Sequence, residues 1–74
     1  HQANERITIS VRKKLGIEES KIFSNIHKFG NTTGASIPIA LCDAYEQGKI
    51  SEKDIIILAA FGAGFTWASA AIRW

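Results

Sequence analysis

His1 has the widest chemical range of any side chain in this sequence, because an imidazole titrates near neutrality and can give a hydrogen bond or a proton to developing charge. A terminal histidine could also chelate copper through its amine and ring, but Gln2-Ala3-Asn4 offers no second imidazole or carboxylate. His27, beside Lys28 in a polar stretch, reads as a solvated histidine. Asn31 lies between Gly30 and Thr32, where an asparagine by itself reads as a turn former that bonds nearby backbone and tolerates left-handed angles. Gly62-Ala63-Gly64 could present backbone N–H groups to an anion or a thioester oxygen, and equally could be a plain hairpin turn. It lacks the Lys-Ser/Thr ending of a phosphate loop. Cys42 falls in an apolar helical pattern, away from the N-terminus where a thiolate is stabilised, and reads as a packed thiol. Arg6, Arg12, Lys13 and Lys14 suit a phosphate or an acidic partner, as they suit a solvated helix face. No metal-ligand cluster, carboxylate pair or Ser-His-Asp arrangement is evident, and no metal is expected.

The hydropathy pattern marks out the elements that must position these residues. Ile7, Val11 and Leu15 recur every four residues and predict a helix over Glu5 to Leu15, with Arg12, Lys13 and Lys14 largely outside its apolar stripe. Gly16 supplies the stop. Ile22 and Phe23 give Lys21 to Ile26 the character of a short strand, although Asn25 and His27 count against it. Lys28-Phe29-Gly30-Asn31-Thr32-Thr33-Gly34 predicts a turn with unusual backbone angles. A second helix follows, with Pro38 in its first turn and Ile37, Leu41, Ala44 and Tyr45 along one stripe until Gly48.

The stretch from Ile55 to Ile72 carries no charge and is long enough to raise the possibility of a membrane helix, and with it a small membrane-anchored interaction protein. Against that, Ile55-Ile56-Ile57-Leu58 is β-branched, and the two glycines of Phe61-Gly62-Ala63-Gly64-Phe65 would each cost about 1 kcal/mol inside a helix. Two strands around a glycine loop fit better. The order helix, strand, helix, strand, strand predicts α/β layering with helices packed on a mixed sheet.

Seventy-four residues allow one domain whose core would be marginal alone. The chain has no methionine and begins with His1, and so reads as a piece of a longer polypeptide. Its 46% hydrophobic and 22% charged residues exclude a disordered tail, and one proline with six glycines excludes a linker. A net charge of +2 is too small for a nucleic-acid surface. The single Cys42 cannot form an internal disulfide and no secretory signal is recognisable, so the cytoplasm is the expected compartment and no membrane partner is expected.

His1-Gln2-Ala3-Asn4, Gly30-Asn31-Thr32, Ser36-Ile37-Pro38 and Phe61-Gly62-Ala63-Gly64-Phe65-Thr66-Trp67, in that order and spacing, closely resemble the C-terminal end of β-ketoacyl-acyl carrier protein synthase III. The final Ile72-Arg73-Trp74 resembles that family's terminus, and the likeness covers essentially the whole chain. It implies that residues 1–74 are the C-terminal segment of the C-terminal half of a thiolase-like fold, in a homodimeric enzyme whose N-terminal half lies outside this chain. There, a cysteine of the N-terminal half accepts an acyl group from acyl-coenzyme A. Malonyl-acyl carrier protein is then decarboxylated and its carbanion condenses with the acyl group to start a fatty acid. No cofactor is implied, the coenzyme A thioester being a substrate. The rival within the fold is a synthase of quinolone or polyketide type, since acyl choice is set largely by residues outside this chain.

Residue by residue, the resemblance places the family's catalytic histidine on His1 and its catalytic asparagine on Asn31. Loss of carbon dioxide puts negative charge on the thioester oxygen, which two aimed neutral donors can stabilise in a dry site. Asn31 Nδ2 and a His1 ring N–H are the implied donors. Ala63 falls where a backbone N–H, with that of the absent cysteine, forms an oxyanion hole; many relatives have glycine there. The resemblance puts Asn4 near the pantetheine arm and Phe61 beside the site. Arg6, Arg12 and Lys13 fall on the basic surface that receives the acidic carrier protein, where electrostatic steering is the physical role.

Overall fold

The four-residue repeat of Ile7, Val11 and Leu15 forms helix α1, Glu5–Leu15, in the computed structural model, which describes residues 1–74. Asn4 starts it: the backbone there is extended, and its Oδ1 accepts the Arg6 N–H at 2.9 Å, satisfying one donor that the first turn leaves orphaned. Glu5 in the first turn and Arg12, Lys13 and Lys14 in the last complement the helix dipole. At the far end the Ile17 N–H bonds the Arg12 carbonyl at 3.1 Å and the Gly16 N–H bonds the Lys13 carbonyl at 3.3 Å, which closes the helix where the glycine predicted.

Lys21 to Ile26 is not a strand. Glu19–Lys21 is a single 3-10 turn, Ile22 to Asn25 pairs with no strand, and Ile26–Phe29 is a short helix, α2. Asn25 supplies the reason: it is 3% exposed, and its backbone N–H donates to Gln2 Oε1 at 2.9 Å. A buried backbone donor taken by a side chain is not free for a ladder. Against that, the strand preference of Ile22 and Phe23 is only a weak bias.

A 3-10 turn at Thr33–Ala35 leads into helix α3, Ser36–Glu46, with Pro38 in its first turn. The helix closes through Gly48 N–H to the Tyr45 carbonyl at 3.0 Å and Lys49 N–H to the Ala44 carbonyl at 2.9 Å. Ala44 is buried, but Cys42, two positions away and so on another side of the helix, is exposed, with Sγ 3.8 Å from Glu46 Oε1. The packed-thiol expectation fails on this helical phase.

The uncharged stretch is a hairpin. Strand β1, Ile55–Gly62, pairs antiparallel with strand β2, Thr66–Arg73, from Ile55 opposite Arg73 to Gly62 opposite Thr66. No helix is long and apolar enough to cross a membrane. The α/β class stands, but the sheet within the chain is wholly antiparallel, since the segment expected to add another strand is coil and short helix. Nor do the helices close on it: α1, α3 and β1 face one another across an open cleft of about 980 Å³, lined by Ile7, Val11, Leu41, Ala44 and Ile57 among others. Tyr45 and Trp74, ring centroids 5.8 Å apart, tie α3 to the end of the hairpin.

Candidate functional site

Three segments distant in sequence meet at His1. Its ring Nδ1 lies 3.2 Å from Ser36 Oγ at the start of α3, and its ring meets Phe61 of β1 edge to face, with centroids 5.9 Å apart and planes at 72°. The His1 backbone nitrogen donates to the Ala59 carbonyl of β1.

The next residue clamps this segment. Gln2 Oε1 accepts the Asn25 N–H at 2.9 Å and the Ser24 hydroxyl at 3.2 Å, while Gln2 Nε2 donates to Asn25 Oδ1 at 2.7 Å. Asn25 Nδ2 in turn donates to Asp43 Oδ2 of α3 at 3.1 Å. Gln47 Nε2 donates to the other carboxylate oxygen at 2.9 Å, and Lys28 Nζ stands 3.6 Å from Oδ2. The hydrogen bond from Gln47, then that from Asn25, hold the Asp43 carboxyl below its usual range, and the Lys28 charge adds to them. Sequence reasoning missed this network, and no signal of spacing marks its members as partners. Gln2 and Asn25 are only polar residues without an evident role.

Asn31 opens the turn before α3 and bonds as a turn former through one half of its amide. Its Oδ1 accepts the Thr33 N–H at 2.9 Å, the bond of a turn former, while its Nδ2 has no partner within the chain. The unusual angles fall on its neighbours instead: Gly30 has φ 69° and ψ −159°, a region essentially reserved for glycine, and Thr33 has φ 50°. Thr32 Oγ1 lies 3.1 Å from Ser36 Oγ, so hydroxyl contacts lead from the residue after Asn31 to the ring of His1.

Ala63 begins the 3-10 turn Ala63–Phe65 that joins β1 to β2, two residues beyond Phe61. Its carbonyl accepts the Thr66 hydroxyl at 2.9 Å, and no turn, loop or cap hydrogen bond uses its N–H. Phe65 here has φ 54°, so each of the two turns carries a bulky or branched residue in left-handed backbone. Such residues cost about 1–3 kcal/mol each and cluster at functional sites. The third, Lys53 at φ 73°, lies in the polar connection before β1.

The remaining expected residues run along α1. Asn4 is the helix cap, which leaves its Nδ2 without a partner in the chain. Arg6 and Lys13, seven positions apart, lie within about 20° of one another around the helix, whereas Arg12 is turned about 120° from Arg6. Arg12 is half-buried and the other two are exposed. None of the three pairs with a carboxylate, the one ion pair of the chain being Lys28 with Asp43. No three His, Cys, Asp or Glu side chains gather as a metal-ligand group.

Residues 1–74 match, over their whole length, the family described as 3-oxoacyl-[acyl-carrier-protein] synthase III C terminal. The chain belongs to this family. Among synthase III relatives it is 55% identical over 74 residues to the β-ketoacyl-[acyl-carrier-protein] synthase III of Synechocystis, covering all of this chain and 22% of that protein. It is 54% identical to synthase III 2 of Vibrio cholerae, again over the whole chain and over 20% of the relative. The synthase III structure from Aquifex aeolicus superposes with a TM-score of 0.97 at 47% identity, over 100% of this chain and 24% of that one. The Thermus thermophilus structure gives 0.96 at 46%, over 100% and 23%. The chain thus spans less than a quarter of the length of each of these synthase III proteins, and its fold is the C-terminal portion of a thiolase-like fold.

Proposed function

We propose that this chain is the C-terminal segment of the C-terminal half of a β-ketoacyl-acyl carrier protein synthase III, in which His1 and Asn31 bind the malonyl thioester. The observation that carries this reading is the convergence on one place of the His1 ring and the turn that leaves Asn31 Nδ2 free. On this reading the carbon–carbon bond to the malonyl carboxylate breaks, carbon dioxide leaves, and the bonding electron pair passes into the thioester as an enolate. The enolate oxygen accepts hydrogen bonds from Asn31 Nδ2 and a His1 ring N–H. Neutral donors already in place need no reorganisation as charge develops, which is why they lower this barrier. The carbanion carbon then attacks the acyl thioester carbonyl on a cysteine supplied by the N-terminal half. The Ala63 N–H contributes to the oxyanion hole, and the cysteine departs as thiolate.

Acyl-coenzyme A and acyl carrier protein are the proposed partners. The Phe61 ring packs the dry wall of the site, Asn4 Nδ2 meets the pantetheine arm, and Arg6 and Lys13 face the carrier protein. The proposed holoenzyme is a cytoplasmic homodimer whose N-terminal half covers the cleft between α1, α3 and β1.

The test uses the full-length enzyme in single turnover, with cysteine labelling from radioactive acetyl-coenzyme A followed separately from carbon dioxide release. His1→Ala, Asn31→Ala and Asn31→Asp, the last keeping the acceptor oxygen of the turn, each slow decarboxylation by roughly a hundredfold or more, the scale of losing one oxyanion donor. Acylation suffers less. Carbon dioxide release at the wild-type rate in all three would reduce Asn31 to a turn residue and remove the role of His1.

A further inference from the structure

Ser36 is 3% exposed, and a hydroxyl buried so deeply requires partners. Two are within reach: His1 Nδ1 at 3.2 Å and Thr32 Oγ1 at 3.1 Å. A serine hydroxyl has one proton to give, so the row of three groups can run in two directions. If Thr32 donates to Ser36 and Ser36 donates to His1 Nδ1, both hydroxyl protons are used and the ring proton sits on Nε2. In the reverse direction Nδ1–H donates to Ser36 and Ser36 donates to Thr32. The Thr32 proton then has no acceptor in the chain, and Nε2 presents a bare lone pair. Only the first direction satisfies both hydroxyls from within the fold.

We propose that Ser36, supported by Thr32, is a positioning residue that fixes the His1 ring in the tautomer carrying its proton on Nε2. The inference rests on the role proposed above for His1, because that role needs a ring N–H aimed at the enolate oxygen. A neutral ring with a bare Nε2 would repel it. It also gives the turn between Gly30 and Ser36 a single design: Asn31 carries one donor directly, and the hydroxyls of Thr32 and Ser36 set the proton of the other.

Nitrogen-15 NMR of histidine-labelled full-length enzyme reads the tautomer without reference to activity. The wild type is expected to show Nε2–H, and Ser36→Ala and the near-isosteric Thr32→Val to show a mixture with Nδ1–H. In both variants kcat for malonyl decarboxylation falls about tenfold or more with KM nearly unchanged, the scale seen when the partner orienting a metal-bound histidine is removed. Ser36→Thr, which keeps the hydroxyl, restores much of the rate. Should Ser36→Ala fail to fold, Thr32→Val carries the same two readouts. Nδ1–H in the wild type, or Nε2–H with wild-type turnover in the folded variants, would overturn the proposal. A His1→Ala control that still releases carbon dioxide would instead bring down the proposed function, leaving the NMR result to judge Ser36 alone.

Discussion

Asn4 and Asn31 each divide one side-chain amide between two tasks, the oxygen shaping backbone and the nitrogen left free. For Asn4 the tasks separate experimentally. Asn4→Ala removes the cap of α1 and lowers stability by about 1 kcal/mol, the usual cost of losing an asparagine cap. Asn4→Asp retains a capping oxygen and the wild-type melting temperature, but gives up the donor. Calorimetry of the full-length enzyme checks the first effect. The KM for acyl-coenzyme A in the full-length enzyme checks the second, and is expected to rise in both variants; an unchanged KM in Asn4→Asp would leave Asn4 as a cap alone.

Helix α1 sorts its basic residues by phase. Arg6→Ala and Lys13→Glu are expected to weaken carrier-protein binding at low salt by about two- to fivefold or more, the scale of an exposed ion pair, with Arg12→Ala doing less. Titration calorimetry at two salt concentrations measures it, and an unaltered affinity in Lys13→Glu would remove the docking face from α1. Helix α3 contributes through Asp43, whose hydrogen bonds fasten the His1 segment by way of Asn25 and Gln2. Its folded-state pKa lies below the ordinary 3.8, so its contribution is present above the unfolded value and is lost as pH falls through the depressed one. In the full-length enzyme Asp43→Asn is therefore expected to melt below the wild type at pH 7, with the gap narrowing below about pH 4. A gap of constant size down to pH 2 in thermal melts would contradict that sign.

At the scale of the whole molecule, the 74 residues bury only Ala44 among apolar side chains, while Phe65 is 93% and Trp67 80% exposed. So little apolar burial cannot offset the entropy of ordering the chain. The isolated chain is expected to bind a hydrophobic dye, to melt without a cooperative transition in circular dichroism, and to show no condensation of acetyl-coenzyme A with malonyl-acyl carrier protein. A sharp melt accompanied by turnover would contradict both halves of this expectation.

Local pattern carried α1, α3 and the hairpin, because a four-residue apolar repeat, a glycine after each helix and glycines between two β-branched or small-residue runs are each decided within a few neighbours. The stretch from Lys21 to Ile26 was misread for the opposite reason: the group that takes the Asn25 N–H is 23 positions away, beyond the reach of any periodicity. The same holds for the site. Spacing alone made Asn31 a turn residue, and resemblance supplied its pairing with His1. The tertiary structure decided that Ser36, 35 positions from His1, bonds its ring, since only the approach of the start of α3 and of β1 to the N-terminal segment sets those atoms side by side.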